Sequence, residues 1–496
     1  MKVVFVHLGR EHLGIEYLSA VLKREGYQVE LVHDAGLFSL EDNVFYFPFW
    51  EKFFRQKDMA KQVISKKPDL IAFSAYTPTY KWASILAAEI KQAYSVPIVF
   101  GGIHPTLLPE KVISQPFVDY VIRGEGEESL LSLLNSLEGF TGLEKVNNLY
   151  YKRDGKIIKN SLKPAIKDLD NLPFPDKSLF EGSVRYKDDY TILTSRGCLF
   201  SCSYCCESFL NGLYQNKYFR RRSVDSVIEE LTVMKKKYNF KRVMFFDSIL
   251  FTDKKWLKNL LLNYKRAINV PFRCTGHVGV FDSEIGKLMK DSGCYSIEFG
   301  VQTFNDSIRR EILNRWESNA QIRKAFDACD NIGLHYDVDL MFGLPGTSLK
   351  DYETALVFLK NNRFINRIKC YYLSYYPRLA IIDKAKSLDI LSEEDIQTIE
   401  TGEIGGWFHL DRSRDKADET YKQNFRKLYK IYPGLPYFLR SFFIKKKLYK
   451  VFRFIPNIFI ILMQVLIGLM KRDYRFHIYV NNYFYHLNKK IFSDEK

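Results

Sequence analysis

Cysteine is scarce in this chain of 496 residues: there are eight, and none falls among the first 190. So thin a supply excludes a disulfide-stapled scaffold. The opening MKVVFVHLGR has too short an apolar run for a secretory leader and no small-residue cleavage site. It reads as a first β-strand, and a cytoplasmic location is expected. No self-similarity at solenoid period is present, which excludes a repeat array. Acidic residues run short at one end only. Residues 416–496 carry 17 Lys and Arg against 5 Asp and Glu, and so hold most of the formal net charge of +16. A composition 46% hydrophobic and 27% charged excludes disorder.

What is present is alternation. The length exceeds one ordinary core, so two or three domains are expected. In residues 1–140, short apolar strands (Lys2–His7, Gln28–His33, Leu70–Ser74, Pro97–Phe100, Asp119–Ile122) alternate with helical stretches such as Leu13–Glu25 and Lys81–Ala93. This predicts an α/β fold with a doubly wound parallel sheet, whose ligands sit beyond the strand carboxyl ends. Residues 141–185 break the pattern: a linker with a small hairpin turning at Asp154-Gly155, then the Pro-rich DLDNLPFPD. The alternation restarts over 186–376, with strands near Tyr190–Ser195, Arg242–Asp247, Arg273–Gly276, Ser296–Gly300, His335–Phe342 and Arg367–Tyr376. Six strands are too few for a barrel of eight, so a partial (β/α)6 TIM-like barrel is predicted.

Residues 377–496 read as a basic, aromatic and mainly helical C-terminal extension. Its longest apolar run, FIPNIFIILMQVLIGLM at 454–470, is short for a span of about 20 residues and is interrupted by Pro456, Asn457 and Gln464. An in-plane surface helix is the first reading; a true span and a buried helix pair covering the barrel are the others. Basic residues interleaved with apolar runs suit an anionic membrane surface better than nucleic acid. The aromatic insert NVFYFPFWEKFF has core or lid packing as its default role.

Three of the eight cysteines crowd into TSRGCLFSCSYCCESF, as Cys198-x3-Cys202-x2-Cys205. The segment follows a predicted strand, so it lies where barrel active sites are built. Structural zinc needs four ligands, usually in two pairs, and beyond the adjacent Cys206 the next candidates, Cys274 and His277, are some 70 residues away. The four-cysteine ferredoxin spacings do not match either. Three close thiolates can hold three irons of a cubane and leave the fourth open to a substrate. Zinc and a closed electron carrier remain the competing readings.

CLFSCSYC resembles the radical S-adenosylmethionine (SAM) signature, and the likeness extends over about residues 1–375. It implies a [4Fe-4S] cluster on Cys198, Cys202 and Cys205. SAM would chelate the open iron and be cleaved to methionine and a 5′-deoxyadenosyl radical that abstracts a substrate hydrogen. Tyr204 would lie beside the adenine, and Cys206 would be a bystander. FFDSILF sets Asp247 at a strand end where related enzymes carry a polar residue facing SAM. IEFGVQT resembles a family strand ending Gly-Ile-Glu-Ser, with Gln302 standing where an acid is common. FGLPGTS resembles the Gly-Leu-Pro-Gly-Glu turn, which puts Gly343 and Pro345 near the adenosine.

The first 140 residues resemble the flavodoxin-like cobalamin-binding domain that precedes the barrel in one radical SAM class, here class B-like. The matching pieces are HLGIEYLSAVLKREGYQVELVHD, DLIAFSAYTPTY, VPIVFGGIHPTLLPE and YVIRGEGEESL. Ser74, Gly101, Gly102, Gly124 and Glu125 become the cobalamin contacts, the two adjacent glycines by leaving room for a corrin. The Asp-x-His-x-x-Gly motif of a lower cobalt ligand is absent, and His7, His33 and His104 read as ordinary loop histidines.

The resemblance implies three cofactors: the cluster, SAM and cobalamin. The leading reaction is methyl transfer to an unactivated carbon or to phosphorus of a lipid or natural product, with radical oxidation, cyclisation or rearrangement as the alternative. A non-catalytic corrinoid or electron carrier is the reading from another class. A methylthiotransferase of tRNA fits poorly, because the first 190 residues lack the further cluster cysteines. A flavodoxin or ferredoxin reductant, and contact of the tail with the inner face of the membrane, complete the expected partners.

Overall fold

Alternate residues of β1 (Lys2–Leu8) face two different cores. Val3 and Phe5 join one that carries Ile15 and Leu22 of the helix Leu13–Arg24. Val4 and Val6 join another, under Tyr80, Leu86 and Ile90 of the helix Thr77–Ala93. Helices on both faces are what an all-apolar parallel strand requires, and β3 (Leu70–Ser74), LIAFS, is such a strand. With β2 (Gln28–Asp34), β4 (Ile98–Gly101) and β5 (Tyr120–Ile122) these form a parallel sheet in the order β2-β1-β3-β4-β5. The computed structural model describes residues 1–36, 58–403 and 416–471, with 473, 480–481, 484–485 and 487–488. The aromatic insert of residues 43–54 lies outside them.

Two local details differ from the sequence reading. The helix expected from Lys81 begins at Thr77, because Pro78 fits its first turn and the Thr79 hydroxyl accepts the Tyr76 N–H at 3.1 Å. The hairpin β6 (Leu149–Arg153) and β7 (Lys156–Lys159) turns at Asp154 and Gly155 with φ of 49° and 70°, as an Asp-Gly turn does. It does not stand free: β6 pairs antiparallel with β5 and makes the sheet seven-stranded.

The second sheet is built from β8 (Tyr190–Ile192), β11 (Val243–Phe245), β12 (Phe272–Gly276), β13 (Cys294–Gln302), β14 (Tyr336–Phe342) and β15 (Ile365–Tyr372), all parallel and in sequence order. An open run of six with a helix after each of the first five is a partial barrel. A short ribbon, β9 (Ser195–Arg196) against β10 (Arg220–Arg221), projects from its first crossover. The buried cluster containing Val3 and Phe5 continues through Phe180 and Tyr190 into the barrel, so the two sheets share a core.

Past β15, the helix Lys416–Ile431 closes the barrel flank. Phe425, Leu428 and Tyr429 are buried there, and the Tyr429 and Tyr432 hydroxyls donate to the Tyr352 and Leu356 carbonyls at 2.6 and 2.8 Å. Among the described residues no single helix is long and apolar enough to cross a membrane. Leu448–Phe454 and Asn457–Met470 reach that composition only as a pair bent by 117°. Of Asn457–Met470, Ile460 is buried while most of the other apolar side chains stay exposed, so the helix covers the barrel with one side only.

Candidate active site

A cavity of about 1010 Å³ lies between the carboxyl ends of the two sheets. The first sheet supplies the loop after β1 (Gly9 to Gly14), Ser74, Gly101, Gly102 and the turn Gly124–Glu127. The barrel supplies Ser195, Asp247, Arg273, Glu298 and Lys369. Strand order reverses between β1 and β3, so their loops part there and leave a crevice, as expected of a 2-1-3-4-5 sheet.

Cys198, Cys202 and Cys205 occupy the loop that joins the ribbon to the helix Cys206–Leu213. The loop borders the cavity, because Gly197 at one end and Glu207 at the other both line it. Gly197 has φ of 88°, and a methyl group there would stand 2.6 Å from the Tyr218 carbonyl, so the chain passes only as glycine. Ser203 N–H and Oγ donate to the Leu313 and Ile312 carbonyls at 3.0 and 2.6 Å, and Asn314 Nδ2 donates to the Ser201 carbonyl at 2.7 Å. These bonds hold the loop against the π-helical turn Ile308–Ile312. Burial pushes all three thiols up, that of Cys205 to about 12. Cys206 turns away and packs in an apolar cluster with Leu107, Leu344 and Tyr375.

Among the described residues, no three His, Cys, Asp or Glu side chains converge on one metal ion. This is compatible with a cubane, whose three thiolates bind three different irons. Cys274 is buried in β12, and His277 stacks on Phe200 with ring centres 4.0 Å apart.

Arg315 is the partner that the motif itself does not reveal. Its guanidinium donates to Cys202 Sγ at 3.8 Å, Tyr204 Oη at 3.2 Å, the Gly300 carbonyl at 2.6 Å and Glu317 at 2.6 Å. His277 Nε2 stands 3.5 Å from the other oxygen of Glu317. Burial opposes ionisation of Glu317, yet His277 and Arg315 outweigh it and bring the carboxyl down to about 2.

Asp247 ends the turn after β11. Its Oδ1 accepts from Thr194 N, Thr194 Oγ1 and Ser195 Oγ at 3.0, 2.9 and 2.5 Å. Its Oδ2 has no partner, although it is buried on the cavity wall. Burial raises the carboxyl despite those donors. An unpaired buried acceptor fits a ligand that brings a hydroxyl or ammonium. Gln302 (φ 69°, Oε1 unpartnered), Tyr204, Gly343 and Pro345 do not line the cavity.

In the first domain, Ser74, Gly101, Gly102, Gly124 and Glu125 all line the cavity. Two of them also have a role within the chain itself. Gly102 has φ of 92°, and a methyl group on it would meet the Ala75 nitrogen at 2.9 Å, so the chain's own packing requires glycine there. Glu125 receives Arg196 at 3.1 Å and Arg220 at 2.9 and 3.0 Å, while Glu127 receives Arg196 at 2.6 Å. The two arginines face each other across the β9–β10 ribbon, which makes Glu125 the clamp between domains.

Besides His33, the cavity wall carries a histidine that the sequence reading did not single out, His12. Its Nδ1 accepts the Ile15 N–H at 3.2 Å and caps the helix Leu13–Arg24. That leaves the proton on Nε2, facing Tyr76 Oη at 3.0 Å and Ser74 Oγ at 3.3 Å. Its position just after the first strand was the available signal. His7 and His33 lie within β1 and β2, and His104 within the short helix Ile103–Leu107, none of them in a loop.

Residues 3–134 match the family model described as B12 binding domain, and residues 192–359 match the Radical SAM superfamily model. An uncharacterized methyltransferase of Pyrococcus horikoshii is 28% identical over 70% of this chain and 72% of its own length. The cytidylyl-2-hydroxyethylphosphonate methyltransferase of Streptomyces wedmorensis is 23% identical over 71% and 73%. An anaerobic magnesium-protoporphyrin IX monomethyl ester cyclase of Rubrivivax gelatinosus is 23% identical over 71% and 64%. The fold is shared with the radical SAM methyltransferase TsrM of Kitasatospora setae, solved with tryptophan and a SAM analog (TM-score 0.61, 16% identity, 78% and 76% covered). It is also shared with the cobalamin-dependent enzyme OxsB, solved with aqua-cobalamin and SAM (TM-score 0.66, 14% identity, 99% and 80% covered).

Proposed function

Because this chain belongs to the radical SAM enzymes that carry a B12-binding domain, we propose that it is a cobalamin-dependent methyltransferase. Its target is an unactivated carbon, or phosphorus, of a small-molecule or lipid substrate. The observation that carries this reading is the single cavity walled by both parallel sheets, with the three-cysteine loop at its border. Two cofactors that must meet across one substrate need such a shared space.

In this reading residues 1–140 are the corrinoid unit, 141–185 a connection, 186–376 the radical unit and 377–496 an extension. Cys198, Cys202 and Cys205 hold the [4Fe-4S] cluster. Tyr204, Asp247, Gln302, Gly343 and Pro345 attend SAM, while Ser74, Gly101, Gly102 and Gly124 border the corrinoid. The bound groups supply reductive cleavage of SAM and a methyl group to move. The chain's own share is orientation and exclusion of water. Arg315 offers N–H to the Cys202 sulfur, Asp247 steadies the approach to the cysteine loop, and Met244 and Phe246 give the cavity an apolar wall. We place the enzyme in the cytoplasm, served by a flavodoxin- or ferredoxin-type reductant.

The test is anaerobic reconstitution with iron, sulfide and hydroxocobalamin, then reduction with SAM and candidate substrates. Expected are bound corrin, 5′-deoxyadenosine and S-adenosylhomocysteine together, with 5′-deoxyadenosine formation lost in Cys202→Ala. The cyclase relative favours a second reading, radical oxidation or ring closure. It is selected if 5′-deoxyadenosine forms with a modified substrate and no S-adenosylhomocysteine appears. Absence of both products across substrates, with the cluster intact, overturns the proposal.

A further inference from the structure

Half of the large apolar side chains that the described chain exposes fall between residues 437 and 470. They form one crest. On the helix Asn457–Met470, Ile460 points inward, while Phe459, Leu462, Leu466 and Met470 recur at helical spacing on the outer side. On the helix Tyr437–Lys445, Phe438 and Phe442 face solvent, and Phe454 does so at the bend between the two segments. Phe438 is 68% exposed, Phe454 70% and Phe459 57%, values that no packed helix face would leave.

The charge of the crest's own segment has one sign, although Glu353 of the barrel approaches Lys447 to 3.9 Å. Residues 437–471 contain seven Lys and Arg and no Asp or Glu. Two of the seven are turned inward as structural bonds: Arg440 to the Asn362 carbonyl, and Lys471 to that of Ile365. The other five, Lys445, Lys446, Lys447, Lys450 and Arg453, are exposed beside the crest. An apolar ridge flanked by an excess of cations is complementary to acyl chains beneath anionic headgroups. A helix of 14 residues is about 21 Å long, short of the roughly 30 Å hydrocarbon core, so it lies in the surface and does not cross.

We propose that the outer face of Tyr437–Lys445 and Asn457–Met470 is a docking surface for an anionic lipid bilayer. The proposal goes beyond the catalytic reading and does not depend on it, since no residue of 437–471 lines the cavity. The crest is tied to the barrel at the start of β15, through Lys471 and Arg440, whereas the cavity opens beyond the strand carboxyl ends. Docking therefore brings the enzyme to the membrane without placing the crest in the path of the substrate.

The test uses the full chain, anaerobically reconstituted, and vesicles of phosphatidylcholine alone or with about one third phosphatidylglycerol. The wild type is expected to sediment with the anionic vesicles and not with the neutral ones. Phe438→Ser/Phe459→Ser/Leu462→Ser/Leu466→Ser replaces only exposed side chains, and Lys445→Gln/Lys446→Gln/Lys450→Gln keeps the apolar crest. Each should lower the bound-to-free ratio about tenfold or more, with unchanged thermal midpoint and SAM cleavage. Wild-type protein that stays in the supernatant with anionic vesicles overturns the proposal, as does a serine variant that sediments like wild type. Sedimentation velocity supplies the last arm. A dimer abolished by the serine substitutions, together with no vesicle binding, assigns the crest to a second copy of this chain and overturns it too.

Discussion

Arg315 donates to Cys202 Sγ at 3.8 Å and, with its Nε, to Glu317 at 2.6 Å. One guanidinium thus joins the cysteine loop to a buried carboxylate. Replacing it with leucine strands Glu317 beside His277 alone, at a cost of about 3 to 5 kcal/mol. Arg315→Leu should lower the thermal midpoint of the apoprotein. In reconstituted protein the cluster potential should move negative, because a donor to a ligand sulfur is lost. Arg315→Lys should recover part of both effects, by melting and by redox titration.

The clamp of Glu125 on Arg196 and Arg220 predicts a different failure. Glu125→Ala leaves two buried arginines short of a carboxylate, at about 3 kcal/mol or more. The domains should separate more readily, seen as faster limited proteolysis within 160–186. Burial raises the Glu125 carboxyl, but Arg220 and Arg196 outweigh it and hold it below the usual range. This contribution is present above the unfolded value of about 4.3 and should fade as pH falls below it.

Enclosed histidines, His7 and His104 among them, contribute to the pH dependence at milder acidity, as does His12, which burial lowers to about 4. Burial lowers His7 well below its ordinary value, helped by His12 and His33, and lowers His104 to about 3, helped by Lys111. Both stay neutral in the folded chain while the unfolded chain protonates them near 6.5, so the unfolded state binds more protons and acid destabilises. Their stability contribution is full above pH 6.5. Each such proton contributes about 1.4 kcal/mol per pH unit to the slope well below 6.5. Chemical denaturation at several pH values between 7 and 4.5 measures it, and His104→Gln should lower the slope by about 1.4 kcal/mol per pH unit.

Cys206 should be dispensable where Cys205 is not. Cys206 packs among Leu107, Leu344 and Tyr375, so Cys206→Ala loses about 1 kcal/mol of packing and keeps full iron content after reconstitution. Cys205→Ala should lose the iron while its unloaded fold melts as before, measured by iron and sulfide assay beside circular dichroism.

Much of the architecture was legible because it is written in local periods. Strand Leu70–Ser74 was readable to the residue, and the six barrel strands to within a few, since buried parallel strands are short apolar runs between polar turns. The Asp154-Gly155 turn was legible for the same reason: its geometry depends on two adjacent residues. That the hairpin would join the first sheet was not, because pairing with β5 is a contact between distant segments.

The cysteine motif lay in the same readable class, three thiols within one loop. Its support did not. Arg315 is 113 residues from Cys202, and Glu125 is 95 from Arg220. Nothing near either residue announces its partner, because an ion pair needs only proximity, and proximity comes from folding. Gly102 shows the same divide within one residue. The sequence by itself determined that a glycine follows β4, but only the structure decided that the Ala75 backbone stands where its side chain would be. Composition and spacing determined two parallel sheets, a thiol trio and a basic apolar tail. Which side chains share the cavity, which carboxylate became a clamp and which face of the last helix stayed bare were decided by packing, which acts on distance in space and not along the chain.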